Sequence, residues 1–136
     1  MSNTNSMNIT RKYEGCIIEE SLGNKDIITF FDIARTEIVP VTEAIATPWL
    51  KNWTMHMVEI DEMYINDAVI KLKSALNNEG NWYVDLKNED YHYIIFNDKI
   101  FKVNRSSQEQ YNEVKQYGLA RGIPVYQLPD ESWAKR

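Results

Sequence analysis

A chain of 136 residues with 43% hydrophobic and 26% charged side chains is long enough to bury one sizeable core, so a single domain is expected. The formal net charge of −5 removes long-range attraction to phosphate backbones and no dense Lys/Arg block offsets it, which speaks against nucleic acid as a partner. Cys16, the only cysteine, allows no internal disulfide and suits a cytoplasmic location. No apolar run approaches the roughly 20 residues that span a bilayer, so no membrane contact is expected.

Residues 1 to 10, mostly polar, read as a disordered leader, residues 11 to 129 as one α+β domain, and residues 130 to 136 as a polar tail whose one large apolar residue is Trp133. Tyr13 to Leu22 reads as a strand, Gly23-Asn24-Lys25-Asp26 as a turn, and Ile27 to about Val39 as a second strand, together an N-terminal hairpin. Alternation fails around Thr29-Phe30-Phe31-Asp32, which predicts a bulge or break near Ala34, and Pro40 should end the strand or confine it to an edge. In Thr47-Pro48-Trp49-Leu50 the proline holds Thr47 extended, and Trp49 and Leu50 are expected to anchor the connector on the core. Trp53 to Ile60 alternates Trp53, Met55, Met57 and Glu59 with Thr54, His56, Val58 and Ile60; both faces are largely apolar, as in a central strand.

Asp61 is an expected N-cap for a helix with Ile65, Ala68, Val69, Leu72 and Leu76 on one stripe, stopped by Gly80. Trp82 to Leu86, Tyr91 to Phe96 and Ile100 to Val103 are runs of aromatic and β-branched residues separated by Asn and Asp, and read as consecutive antiparallel strands. Ser106 and Glu109 stand in capping-box spacing ahead of a second helix with Tyr111, Val114 and Gly118 on one face. Gly122-Ile123-Pro124 ends that helix, and Val125 to Leu128 reads as a final strand.

From Trp53 onward this order matches a ferredoxin-like βαββαβ unit, an antiparallel sheet with two helices on one face, preceded here by the hairpin. The hairpin is expected either to cover the opposite face or to extend the sheet at its edge. The fold does not name a function. Through Tyr13-Glu14-Gly15, Ile18-Glu19-Glu20-Ser21-Leu22, Thr47-Pro48-Trp49-Leu50, Trp53-Thr54 and Tyr91-His92-Tyr93-Ile94-Ile95-Phe96 the chain resembles a group of small bacterial and archaeal proteins of unassigned function. That resemblance implies no activity and no catalytic residue.

His56 and His92 are the only histidines, each in an expected strand, which suggests paired acid-base work on a phosphate ester. Two-histidine phosphoesterases resemble one another in a His-x-Thr/Ser pattern, whereas the third positions here are Val58 and Ile94, so the simpler reading is hydrogen-bonded core histidines. Asp85, Asp90 and Glu59 add carboxylates, but no H-x-x-x-H, H-E-x-x-H or Cys/His spacing accompanies them, so no metal and no cofactor are expected. Glu19 and Glu20, adjacent on a strand, would point to opposite faces and cannot converge on one bond. Glycine-rich phosphate loops and the nucleophile elbow are missing from the sequence.

Eight Tyr and four Trp need a core or a partner. Trp53, Tyr83, Tyr91 and Tyr93, with Arg105 beside them, are the candidate ligand or partner surface. The expected function is a non-catalytic binding or interaction module with an aromatic sheet surface or pocket. A protein partner or a homodimer ranks ahead of a small ligand. The alternative is a small hydrolase, phosphoesterase or isomerase in which His56 or His92 moves a proton while Asp85, Glu59 or Tyr83 orients the substrate.

Overall fold

The computed structural model describes residues 11–41, 50–79, 81–129 and 133. The expected leader, Thr47-Pro48-Trp49, the stop at Gly80 and the tail other than Trp133 lie outside the described residues. Leu50 packs half-buried against the core, as the connector reading expects.

Six strands form one antiparallel sheet: β1 (Lys12–Ile18), β2 (Asp32–Pro40), β3 (Asn52–Asp61), β4 (Tyr83–Lys87), β5 (Tyr91–Phe96) and β6 (Ile100–Asn104). Their order is β2-β3-β1-β4-β5-β6. The hairpin expected from Tyr13 to Val39 does not form, because β3 lies between its two arms, pairing Tyr13 with Ile60 on one side and Thr36 with His56 on the other. β1 also pairs with β4 and so sits inside the sheet, where Gly15 is required by a close approach. A Cβ on Gly15 would stand 2.0 Å from the Asp85 carbonyl oxygen.

The second arm is shorter than expected. A 3-10 turn at Lys25–Phe30 precedes β2, and the register shifts between Ile33 and Arg35, the bulge expected at Ala34. β2 lies at the sheet edge and ends at Pro40, whose missing N–H suits an edge. Across the described residues of the connector, Val41 N–H donates to Lys51 O at 2.9 Å.

Two α-helices flank the sheet among the described residues: α1 (Ile65–Ala75) and α2 (Gln108–Ala120). α1 begins after a 3-10 turn at Glu62–Tyr64, Asp61 makes no side-chain cap, and the helix stops at Ala75 because Leu76 turns extended to bridge Leu22. α2 is capped by Ser107, not Ser106: its Oγ accepts from Gln110 N–H at 3.1 Å. The α2 helix closes at Gly122, whose φ of 88° only glycine adopts without strain. The expected strand at Val125–Leu128 is instead a 3-10 turn, Val125–Gln127, exposing Val125 and Tyr126 and burying Leu128 against Gly118.

The helices cover opposite faces, not one. Tyr93 and Ile95 of β5 enter a cluster with Val84, Leu86 and the α1 residues Ala68, Val69 and Leu72, whereas Ile94 and Phe96 enter a second cluster with Val103 and the α2 residues Tyr111 and Val114. Alternate residues of a strand point to opposite faces, so β5 is sandwiched. Strand order, strand number and helix placement all differ from the ferredoxin-like unit; an α+β domain with an antiparallel sheet is what remains. Among the described residues no helix is long and apolar enough to cross a membrane.

Candidate functional site

The α1 side of the sheet is filled: Tyr13, Ile17, Val58, Ile60, Val84 and Leu86 are all buried there. Among the described residues the α2 side is covered only over β4, β5 and β6. On this side β3 and β1 present Met55, Met57 and Cys16 half-buried, and Glu14 is exposed. The result is a hollow of about 410 Å³ floored by Gly15, Cys16 and Met57 and rimmed by Glu14, Arg35, Glu59, Asp85 and Lys87. The register builds that rim: Asp32 pairs with Glu59, Glu59 with Glu14, and Glu14 with Lys87 across four strands. Like charges directly opposite repel, and cations nearby relieve this: Lys12 Nζ lies 3.5 Å from Glu59 Oε1. Arg35 Nε is 2.7 Å from Glu37 Oε1.

Cys16 faces Asp85 across the β1-β4 pair. Burial, and then the Asp85 carboxylate, push its thiol up to about 11, so it is neutral at physiological pH and a poor nucleophile.

At one end of the hollow Asp85 Oδ2 accepts from His92 Nε2 at 2.6 Å, and the His92 Nδ1 lies 3.0 Å from the Tyr111 hydroxyl. A carboxylate only accepts, so Nε2 carries the proton, and in the neutral ring Nδ1 accepts from Tyr111 O–H. His92 is buried, and the Trp133 ring stacks on it at 5.2 Å between centroids. Burial raises the Tyr111 hydroxyl above its ordinary value, and Arg105 works against that rise.

His56 is held in the same way on the other face. Its Nε2 donates to Glu19 Oε1 at 3.0 Å, and Nδ1 lies 2.8 Å from Thr36 Oγ1. Because His56 pairs with Ile17 on the α1 side while His92 lies beside Ile94 and Phe96 on the α2 side, the sheet separates the two imidazoles. They do not share a site. Glu19 and Glu20 also part company, in a 3-10 turn rather than a strand: Glu20 Oε1 and Oε2 accept from Thr54 N–H at 2.7 Å and Thr54 O–H at 2.8 Å.

The aromatic candidates are divided between the faces and are mostly core. Tyr93 is buried edge-on against Tyr13, and half-buried Trp53 packs on Trp82 at 5.5 Å. Tyr83 donates its hydroxyl to Gln127 O, and burial followed by Asp85 raises its pKa. Tyr91 alone of the four is exposed, with Lys102 Nζ 4.3 Å from its ring centroid. Arg105 Nη1 donates to Asn88 O at 2.9 Å, on the turn that joins β4 to β5. Of the carboxylate candidates, Asp85 and Glu59 line the hollow, while Asp90 pairs with Arg11 at 2.9 Å outside it. Glu14, Cys16, Arg35, Met57 and Lys87 escaped sequence reasoning, since only the pairing of β1 with both β3 and β4 brings them together.

A second hollow, about 490 Å³, lies between the 3-10 turn at Lys25–Phe30 and α1, with Asp26, Phe30, Ile70 and Lys71 in its walls. Among the described residues no group of three or more His, Cys, Asp or Glu side chains is arranged to hold a metal ion. No protein-family model, no curated protein and no solved structure matches this chain.

Proposed function

We propose that the chain is a non-catalytic interaction module of the cytoplasm that takes a polypeptide segment carrying a basic side chain on the open half of its sheet. The observation that carries this reading is the α2-side surface of β1 and β3 that the described residues leave open, where Met57 and Cys16 form an apolar floor inside a rim holding three carboxylates and two cations. A Lys or Arg side chain matches that arrangement, with its methylenes on the floor and its charge among Glu14, Glu59 and Asp85. The state of His92 and Cys16, the imidazole and the thiol nearest the hollow, supports binding over turnover. Both His92 nitrogens are engaged, and the Cys16 thiol is held neutral.

The test is an amide-resolved titration with short basic and acidic peptides. Shifts confined to Glu14, Cys16, Met57, Glu59 and Lys87, seen with the basic peptides alone, are expected. Indifference to peptide charge, or shifts centred elsewhere, would remove the reading.

One feature favours a hydrolase or isomerase as the second reading: Asp85 both lines the hollow and holds His92. In that reading His92 exchanges a proton with substrate after leaving Asp85 or Tyr111. Turnover of any substrate that survives His92→Ala unchanged would eliminate it.

A further inference from the structure

Edge strand β2 is exposed along almost its whole length, including Ile33 and Ile38, the latter 69% accessible, and its outer edge pairs with no strand among the described residues. Exposed apolar residues on a long unpaired edge invite another strand. We propose that the occupant is a second copy of this chain, with two β2 strands pairing antiparallel about a two-fold axis at Thr36 to join two six-stranded sheets into one.

The charges on β2 choose both the partner and the register. With Thr36 opposite itself, Arg35 faces the partner's Glu37 and Glu37 faces the partner's Arg35, two opposite-sign pairs on one face. Shifting the axis to residue 35 sets Arg35 against its own copy, and shifting it to residue 37 sets Glu37 against its own copy. Like charges directly opposite are destabilising, so both neighbouring registers are penalised and the Thr36 register is favoured. In that register Ile38 lies opposite Ala34, a large side chain beside a small one. The Arg35–Glu37 contact within one chain, 2.7 Å, shows that the two side chains share a face, as the cross-copy pairs require. Bulges, charges and a proline are also devices that guard edges, and β2 has all three. A guard needs only charge, however, whereas here the signs are self-complementary about a single residue. The two-fold relation also sets both α2-side hollows on the same side of the joined sheet, since residues opposite one another in an antiparallel pair point to the same face.

The experiment is sedimentation velocity on the full chain and on charge variants. Arg35 and Glu37 are 62% and 47% exposed, so their exchange leaves the fold intact, which far-UV circular dichroism checks. The wild type should be dimeric at about 100 µM, between the millimolar and micromolar strengths of weak contacts. Arg35→Glu and Glu37→Arg should each weaken dimerisation at least about tenfold, the least that like-charge pairs on both sides of the axis would impose. Mixing the two variants should restore a heterodimer, and so should combining both substitutions in one chain. A wild type that sediments as a monomer, or single variants that dimerise as well as the wild type, would overturn the proposal. Should a variant fail to fold, amide exchange of wild-type β2 at two concentrations decides: slowing with concentration supports the pairing, and equal rates overturn it.

Discussion

Asp85 and His92 stand one diagonal step apart on neighbouring strands, since Asp85 pairs with Ile94 and His92 with Lys87, and their side chains close that diagonal at 2.6 Å. The carboxylate is what allows a nearly inaccessible imidazole to keep a hydrogen-bonded N–H. Asp85→Ala leaves that donor without its partner, and the cost of a buried unsatisfied group is about 1 to 3 kcal/mol. Urea unfolding at neutral pH measures it. An unchanged midpoint would mean that His92 draws no stability from Asp85.

Two glycines separate backbone crowding from side-chain crowding. Gly15→Ala drives a methyl into the Asp85 carbonyl, which cannot move without breaking the β1-β4 pairing, and should cost more than about 3 kcal/mol or abolish folding. Gly118→Ala meets the Leu128 side chain alone, Cδ2 most closely and then Cδ1 and Cγ, and a leucine side chain can swing away where a backbone carbonyl cannot. Its cost should be clearly smaller in the same assay. Equal losses would contradict this distinction.

Cys16 should be slow to alkylate. With its thiol pushed up to about 11, first by burial and then by Asp85, the thiolate is the minor form below that pH. The iodoacetamide rate should therefore climb about tenfold per pH unit from pH 7 to 10 without levelling. A plateau near the ordinary value of 9.0 would show that the site does not disfavour the thiolate.

Acid should act through Asp98. The Tyr117 hydroxyl donates to its carboxylate, and Arg121 Nη1 lies 2.9 Å away, so the folded chain holds this group below its ordinary 3.8. A depressed carboxyl stabilises the fold fully above the unfolded value and loses that contribution as pH falls through the folded one. Urea midpoints of wild type and Asp98→Asn should therefore differ at pH 6 and converge below pH 3.8. The gap will be small because Asp98 is exposed. A gap that stays constant with pH would rule out this linkage.

Local chemistry made most elements legible. The aromatic and β-branched runs at Tyr91 to Phe96 and Trp53 to Ile60 read as strands because alternation and Asx turns are local signals, and the lapse near Ala34 marked the bulge. What stayed hidden was long-range. Nothing near Tyr13 indicates that its neighbours will be Ile60 and Tyr93, and the tempting turn at Gly23 suggested the wrong partner. Helix placement left a clue, since His92-Tyr93-Ile94-Ile95-Phe96 is apolar on both faces and a strand that buries both faces needs cover on each. Val125 to Leu128 failed for want of length, as four residues after a proline carry too little periodicity to tell a strand from a 3-10 turn. The same limit governs the site. Asp85 and His92 were both candidates, but only the β4-β5 register unites them, and only β1's position links Asp85 to Glu14 and Cys16.

The central position of β1 has a cost in time. Its ladder partners extend to Asp61 on one side and Lys87 on the other, so the middle of the sheet cannot close until both later strands are available to it. A fold dominated by such distant pairings pays its loop-closure entropy before any contact rewards it, and it searches slowly. While it waits, β1 presents Tyr13, Cys16, Ile17 and Ile18 as an apolar strand with two open edges. Aggregation during refolding should therefore begin with β1 and diminish when the chain is diluted, even though in the finished domain this strand lies between two neighbours.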